Sequence, residues 1–351
     1  MTGRFERGIL FTAGALVTGL IGLALLDPPR SETAAPKATL EFPMTESADA
    51  EPALPAGIVR IKAVGTAAES LVGGIDVRAL DNGHRAVDLH TAKALSKTFQ
   101  RIGYDLDSVK TGNGEVPRLF LASLPADLDK VRETKLRKSI FFKTILPLVL
   151  QVNEEVLADR RRLWDLTVRL KKGEQLPAVD RLWLIVMTER YGVKRGDMSE
   201  LMRRVDIVPP SMALAQAAEE SGWGTSRFSK EGNAIFGQWT FSDALGLVPK
   251  KREAGKKHRV RAFKSLLHSV RSYLNNLNTH RAYRGFRTAR ESQRRKGGQI
   301  GGTRLVDTLT SYSERGGEYV KTLRSIITAN NLSRLDGARL SGRTRPVRPL
   351  I

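Results

Sequence analysis

Cysteine is absent from the 351 residues, which removes disulfides, thiolate metal sites and cysteine nucleophiles from consideration. Its absence does not assign a compartment, because many envelope proteins manage without disulfides. Histidine is scarce as well. His84, His90, His258, His268 and His280 form no HExxH or similar spacing, so no metal is expected, and His268 and His280 read as helix-packing or surface residues. No Walker A or dinucleotide-binding glycine pattern precedes a helix, and "ESGWG" lacks the strand-turn-helix setting of a serine nucleophile elbow. No cofactor is therefore expected.

Acidic residues are in deficit. Lys and Arg number 58 against 37 Asp and Glu, a net charge of +21, which points to an anionic polymer or surface as partner rather than to a fold. Two stretches carry much of the excess, "KKREAGKKHRVR" at 250–261 and "RAYRGFRTARESQRRK" at 281–296, each with seven basic residues and one Glu. A solvated charged face is the plain reading of both. Attraction to anionic lipid or to the carboxylates of a wall polymer is the functional one. Nucleic acid is a third reading that the location inferred next disfavours.

That location comes from the first 30 residues, where Arg4 and Arg7 precede an uncharged apolar run from Gly8 to Leu26. Nineteen residues at about 1.5 Å each reach roughly 28 Å, close to the hydrocarbon thickness of a bilayer. The arginines would stay in the cytoplasm. A cleaved signal peptide is the competing reading, but the run exceeds a usual signal core and no A-x-A site directly follows Leu26. Residues 27–57, with six prolines among alanines, serines and acids, read as a disordered stalk. The chain beyond it is expected outside the cytoplasmic membrane, with the membrane itself a partner through residues 8–26, or secreted after signal cleavage.

Residues 58–114 are mixed, with a β-like "GIVRIKAV" and a helix closing on Gly103. After Pro125 the pattern is persistently helical. In the stretch from Arg137 to Gly173, Ile140, Ile145, Leu148, Val152, Val156, Leu163 and Leu166 recur at helical spacing, and Pro147 should kink that helix or begin a new one. Further helices are expected over 177–191, from Asp197 with Glu200 three residues on, from Ser211, near 265–278 and over 305–330. The glycine-rich stretch 237–262 reads as a β-hairpin lobe, and "SGRTRPVRPLI" as a basic tail, with residues 336–351 assigned to it.

Aromatics are few, 22 Phe, Tyr and Trp in all, yet Trp223, Phe228, Phe236, Trp239 and Phe241 crowd into 19 positions directly behind Glu219 and Glu220. The preceding "ALAQAA" is too small-sided for an outer face, so a buried helix delivers the two glutamates at its C-terminal end, with Gly222 as stop. A helix C-terminus and an apolar wall both favour a protonated carboxyl. Raising a glutamate to the pKa of about 6 that acid catalysis uses takes roughly 2 kcal/mol. A packed core helix with solvated terminal glutamates is the bland alternative.

The segment "AQAAEESGWGTSRFSKEGNAIFGQW" resembles the signature of the bacterial glucosaminidases that cleave peptidoglycan, A-x-x-E-S-x-x-G followed by N-x-F-G. The similarity extends through "RVRAFKSLLHSVRSYLNNLNTHRAYRGFR" and "LTSYSERGGEYVKTLRSIITAN", and upstream through "VPRLFLASLP" and "LPLVLQVNEEVLADR", and resembles the Bax-type branch of that family over roughly residues 115–335. The resemblance implies a lysozyme-like α fold, so the expected architecture is a mainly α, lysozyme-like domain with the small β-hairpin lobe read above, preceded by the N-terminal transmembrane helix expected over 8–26. It also implies hydrolysis of the β-1,4 bond after N-acetylglucosamine, with peptidoglycan glycan strands as partner. Glu220 matches the catalytic general acid, and Glu219 stands where relatives tend to be apolar. Asn233, Phe236 and Gly237 match the N-x-F-G element of the cleft floor, flanked by Gln238. Trp223, Phe236 and Trp239 read as walls for a sugar ring. Tyr312 matches the tyrosine of a late motif, while Ser313 and Glu314 replace the threonine and aspartate many relatives show.

A second catalytic carboxylate is not evident. Asp243, Glu253 and Glu314 are candidates, Glu253 first among them, and the substrate's own N-acetyl group is another. A lytic transglycosylase or muramidase shares the helix-end Glu-Ser but tends to follow it with a G-L-M-Q type element, where this chain has "NAIFGQW". A non-catalytic glycan-binding scaffold of the envelope is the reading from a different class.

Overall fold

The computed structural model describes residues 58–61, 70–73, 91–240, 246–248 and 259–342. The apolar run 8–26, the stalk, Asp243, Glu253 and most of the basic stretch 250–261 lie outside the described residues. Among those described, no helix is long and apolar enough to cross a membrane.

The β-like segment forms β1 (Ile58–Ile61), which pairs antiparallel with β2 (Ser70–Gly73). From residue 91 onward the described chain is mainly helical. Helix α1 (Ala92–Arg101) is capped by Thr91, ends before Gly103 as expected, and lays Leu95 and Phe99 into the common core. A short α2 (Leu106–Lys110) follows, capped by Asp105. The long helix α3 (Thr134–Lys171) runs through Pro147 instead of restarting there. Its expected apolar positions, Ile140 through Leu166, are all buried. Next come α4 (Ala178–Arg190) and α5 (Met198–Arg204), the latter capped by Asp197 through the Glu200 amide as its spacing suggests.

Helix α6 (Pro210–Ser221) lies at the centre, with ten of its twelve residues buried and only Glu219 and Glu220 emerging. Small side chains are what permit this, since alanines let α3 and the C-terminal helices close on it from several sides. Its N-terminus has no local side-chain cap. Asp336 supplies one from the far end of the chain, accepting from the Ser211 amide and hydroxyl, both at 2.8 Å, and from the Gly302 amide at 2.9 Å.

The second half adds α7 (Arg227–Gly232), α8 (Leu266–Thr279), α9 (Arg284–Arg295), α10 (Gly302–Leu305) and α11 (Gly317–Ala329). The single helix expected over 305–330 does not form. A 3-10 turn (Val306–Leu309) and a loop through Gly316, at φ 50°, separate α10 from α11 and carry Tyr312 between them. The expected lobe is a small antiparallel sheet in which β5 (Arg259–Arg261) lies between β3 (Trp239–Thr240) and β4 (Gly246–Leu247).

Two expectations change in the packing. The basic stretch 281–296 is helix α9, and Arg287, Arg290 and Arg294 turn inward. Arg290 is fully buried and donates to the carbonyls of Arg203, Asp206 and Ile207 and to Asn278, while Arg294 grips the buried Asp206 carboxylate at 2.5 and 2.7 Å. These charges hold the 203–208 loop to α9 and leave less basic surface than the sequence suggests. Residues 336–341, assigned to a tail, are bonded to the 116–118 segment, with Ser341 donating to the Val116 carbonyl at 2.8 Å and Arg118 to the Ser341 carbonyl. Residues 343–351 lie outside the described residues.

Candidate active site

The end of α6 is built by its own sequence. Gly222 leaves the helix in the left-handed region at φ 57°, the stop the glycine predicts. Ser221 then closes the turn, donating to the Ala217 carbonyl at 2.6 Å and accepting from the Gly224 amide at 2.8 Å. This explains the serine of the E-S-x-x-G pattern, which holds the carboxylate-bearing turn rather than reacting.

The adjacent glutamates part company. Glu219 is paired with Arg315 at 2.5 Å, an ion pair whose arginine is half exposed. Glu220 points the other way, where Tyr319 Oη donates to its Oε1 at 2.7 Å. Burial raises the Glu220 pKa, the Tyr319 bond opposes the rise, and the charge of Glu219 adds to it against that of Arg315. The net direction is upward, toward a carboxyl that holds its proton, as expected from the sequence.

The N-x-F-G element forms the other side. Asn233 adopts φ 50° at the end of α7 and donates to the Phe263 carbonyl at 3.2 Å. Phe236 is buried and stacks on Tyr273 of α8 with ring centres 3.8 Å apart and planes 4° from parallel. Gly237 has φ 59°, and a Cβ there would stand 2.7 Å from Glu220 Oε2. Only glycine satisfies both demands at once. Gln238 ties the element to α8 through the Ser272 carbonyl at 3.3 Å, and Trp239 enters β3 opposite Val260.

Tyr312 reaches this group without touching the carboxylate. Its hydroxyl donates to the Phe236 carbonyl at 3.0 Å, and its ring lies parallel to that of Tyr319 at 5.6 Å, with Tyr283 beside it at 5.7 Å. Burial holds the hydroxyls of Tyr273, Tyr283, Tyr312 and Tyr319 in the protonated form, above the usual tyrosine range. Behind Tyr319, Gln216 donates from Nε2 to Tyr319 Oη at 3.0 Å and accepts from Tyr273 Oη on Oε1 at 2.6 Å.

Glu220, Phe236, Gly237 and Tyr312 are thus brought together, with Asn233 and Gln238 bracing them. Trp223, half-buried, packs its ring edge-on to Phe142 and Phe141 of α3 at 5.3 and 6.0 Å, with Lys138 4.4 Å above it. Glu314 is exposed on the turn before α11. Sequence reasoning missed Tyr319, Tyr273 and Gln216. One signal was available, because four of the six tyrosines fall between positions 273 and 319, a concentration as marked as that of the aromatics behind Glu220.

The glucosaminidase family model, described as mannosyl-glycoprotein endo-beta-N-acetylglucosaminidase, matches residues 196–332, a span that contains Glu220, the N-x-F-G element and all four of these tyrosines. Protein bax of Escherichia coli (strain K12) is 34% identical over 204 residues, which cover 56% of this chain and 71% of that protein. No solved structure matches the chain. A relative of that identity, covered to that extent, together with the family match over the site, makes the chain a member of the Bax-type glucosaminidases and a glycosidase-like enzyme.

Proposed function

We propose that the protein hydrolyses the β-1,4 bond after N-acetylglucosamine in peptidoglycan strands, with Glu220 as the general acid. The observation that carries this reading is the Glu220 carboxyl at the end of a buried helix, its pKa raised by burial, with Tyr319 Oη on one oxygen and Gly237 beside the other. Such a carboxyl can give its proton to the leaving glycosidic oxygen at a pH where an exposed glutamate is ionised. Gly237 sets the floor against which the sugar lies, while Phe236, buried on Tyr273 and not itself a wall for the ring, supports that floor together with Tyr312, which donates to the Phe236 carbonyl. The partner group that activates water or stabilises the oxocarbenium ion is then Glu253, in the stretch between β4 and β5, or the substrate's own N-acetyl oxygen. Residues 8–26 would anchor the domain at the cytoplasmic membrane facing the periplasm, or be cleaved as a signal, and either places it beside this substrate.

Digestion of purified peptidoglycan by wild type and Glu220→Gln, with products identified by mass spectrometry, tests the reading. Fragments ending in reducing N-acetylglucosamine from the wild type, and none from the variant, support it. An anhydromuramic end would assign a lytic transglycosylase instead, and full activity in Glu220→Gln would remove Glu220 from the mechanism.

A further inference from the structure

A proton delivered by a carboxylic acid leaves from one of two oxygens, and around Glu220 the two are not equivalent. Oε1 faces Tyr319 Oη at 2.7 Å, whereas Oε2 lies on the Gly237 side, along the N-x-F-G floor. Which oxygen carries the proton depends on which way the Tyr319 hydroxyl points. That hydroxyl has one proton to give, and two neighbours: Glu220 Oε1 and the amide of Gln216.

The direction is decided further back. Tyr273 is fully buried and keeps its proton, and among the described residues its hydroxyl has one hydrogen-bond partner, Gln216 Oε1 at 2.6 Å. Turning the Gln216 amide over would put an N–H against Tyr273 Oη and leave that buried phenolic proton without an acceptor, a desolvated donor with nothing to bond. The carbonyl end therefore stays toward Tyr273, and the amide end toward Tyr319. An N–H directed at Tyr319 Oη forbids that hydroxyl from donating to Gln216, so its proton is sent to Glu220.

We propose that Gln216 is a positioning residue that acts through Tyr319: by directing the Tyr319 hydroxyl onto Oε1, it reserves that oxygen as an acceptor and leaves Oε2, on the Gly237 side, to carry the proton Glu220 delivers. The inference rests on Glu220 being the acid. Gln216 lies one helical turn before Glu220, at i−4 on the same face of α6, so the device is built into the helix that presents the acid. The other groups that face Glu220 are Glu219 on its own helix and Arg315 on the turn before α11, with the neutral phenols of Tyr273, Tyr283, Tyr312 and Tyr319. Neither Glu219 nor Arg315 touches Gln216, so a variant at 216 leaves their fields in place.

The test is a direct titration of Glu220 by carbon-13 resonance of labelled glutamate carboxyls in the full-length chain, its signal identified by its absence in Glu220→Gln. Gln216→Met keeps the volume and removes both bonds; without the N–H behind it, Tyr319 donates less firmly and the Glu220 midpoint rises. Tyr319→Phe raises it further, and the double variant titrates with Tyr319→Phe, because Gln216 has no other route to the carboxylate. Tyr273→Phe, which keeps the ring stacked on Phe236 but frees the Gln216 amide to turn, gives a smaller rise and serves if Gln216→Met does not fold. An unchanged midpoint in both Gln216→Met and Tyr273→Phe, or shifts that add in the double variant, would overturn the inference. In the hydrolysis assay, Gln216→Met lowers kcat with little change in KM and moves the high-pH limb upward. Midpoints that shift as stated in a protein that cleaves no glycan would leave the relay standing and remove the proposed activity instead.

Discussion

The backbone of Gly237 and the carboxylate of Glu220 are pressed together so closely that a methyl group on Gly237 would lie 2.7 Å from Oε2. Gly237→Ala is therefore expected to displace the acid, since the side-chain oxygen moves more easily than the φ 59° backbone. Strain at that left-handed position adds a stability loss of about 1–2 kcal/mol. Hydrolysis should fall by at least about tenfold, because a small misplacement of a proton donor is costly in rate. Thermal unfolding and glycan digestion on the same preparation separate the two effects, and a folded Gly237→Ala with the wild-type rate would contradict the contact's role.

Glu220 makes the fold pH-sensitive in a defined direction. Its folded pKa stands above the ordinary 4.5, so the buried neutral form costs nothing below that value, and stability is lost as the pH rises through the folded pKa. Glu220→Gln removes this loss. The variant should unfold at a higher temperature than wild type at pH 7, and the two should coincide below about pH 4. A variant less stable than wild type at neutral pH would show that the charged carboxylate is a net stabiliser.

Asp336 joins the end of the described chain to the start of α6, accepting three hydrogen bonds from Ser211 and Gly302. Asp336→Ala should cost at least about 2 kcal/mol, as it removes a helix cap and leaves buried donors unmet. Chemical denaturation measures the loss. A change within about 0.5 kcal/mol would mean water or a local group replaces the carboxylate.

Two arginines of α9 provide a contrast. Arg290 is fully buried with four acceptors around it, and Arg290→Met should destabilise by about 3–5 kcal/mol. Arg295, three-quarters exposed and bonded to Glu291 along the same helix, should change stability by less than about 0.5 kcal/mol when replaced by Gln. Equal effects from the two variants would argue against the structural role assigned to the inward-facing charges.

The helices of this protein were legible in its sequence wherever a local signal sets them. Asp197 with Glu200 begins α5, Gly222 ends α6, and the apolar spacing from Ile140 to Leu166 marks the buried side of α3. Glu220 was legible for the same reason, since a helix end and its stop are written in adjacent residues. That α3 continues through Pro147 was not legible, because the surrounding positions 140–150 are almost wholly buried by tertiary packing, and the 305–330 stretch reads as one helix although Gly316, at φ 50°, is a local break and the Tyr312 loop before it is held by the distant Phe236 carbonyl. Arg290 read as surface charge because only the fold brings the carbonyls of residues 203, 206 and 207 to it. Local propensities and caps depend on a few neighbouring residues, so the sequence alone determined the helix and the end of it on which Glu220 sits. The partners that set the surroundings of Glu220, Tyr319, 99 residues away, and Gly237 across the turn, meet it only through tertiary packing, which no local pattern encodes.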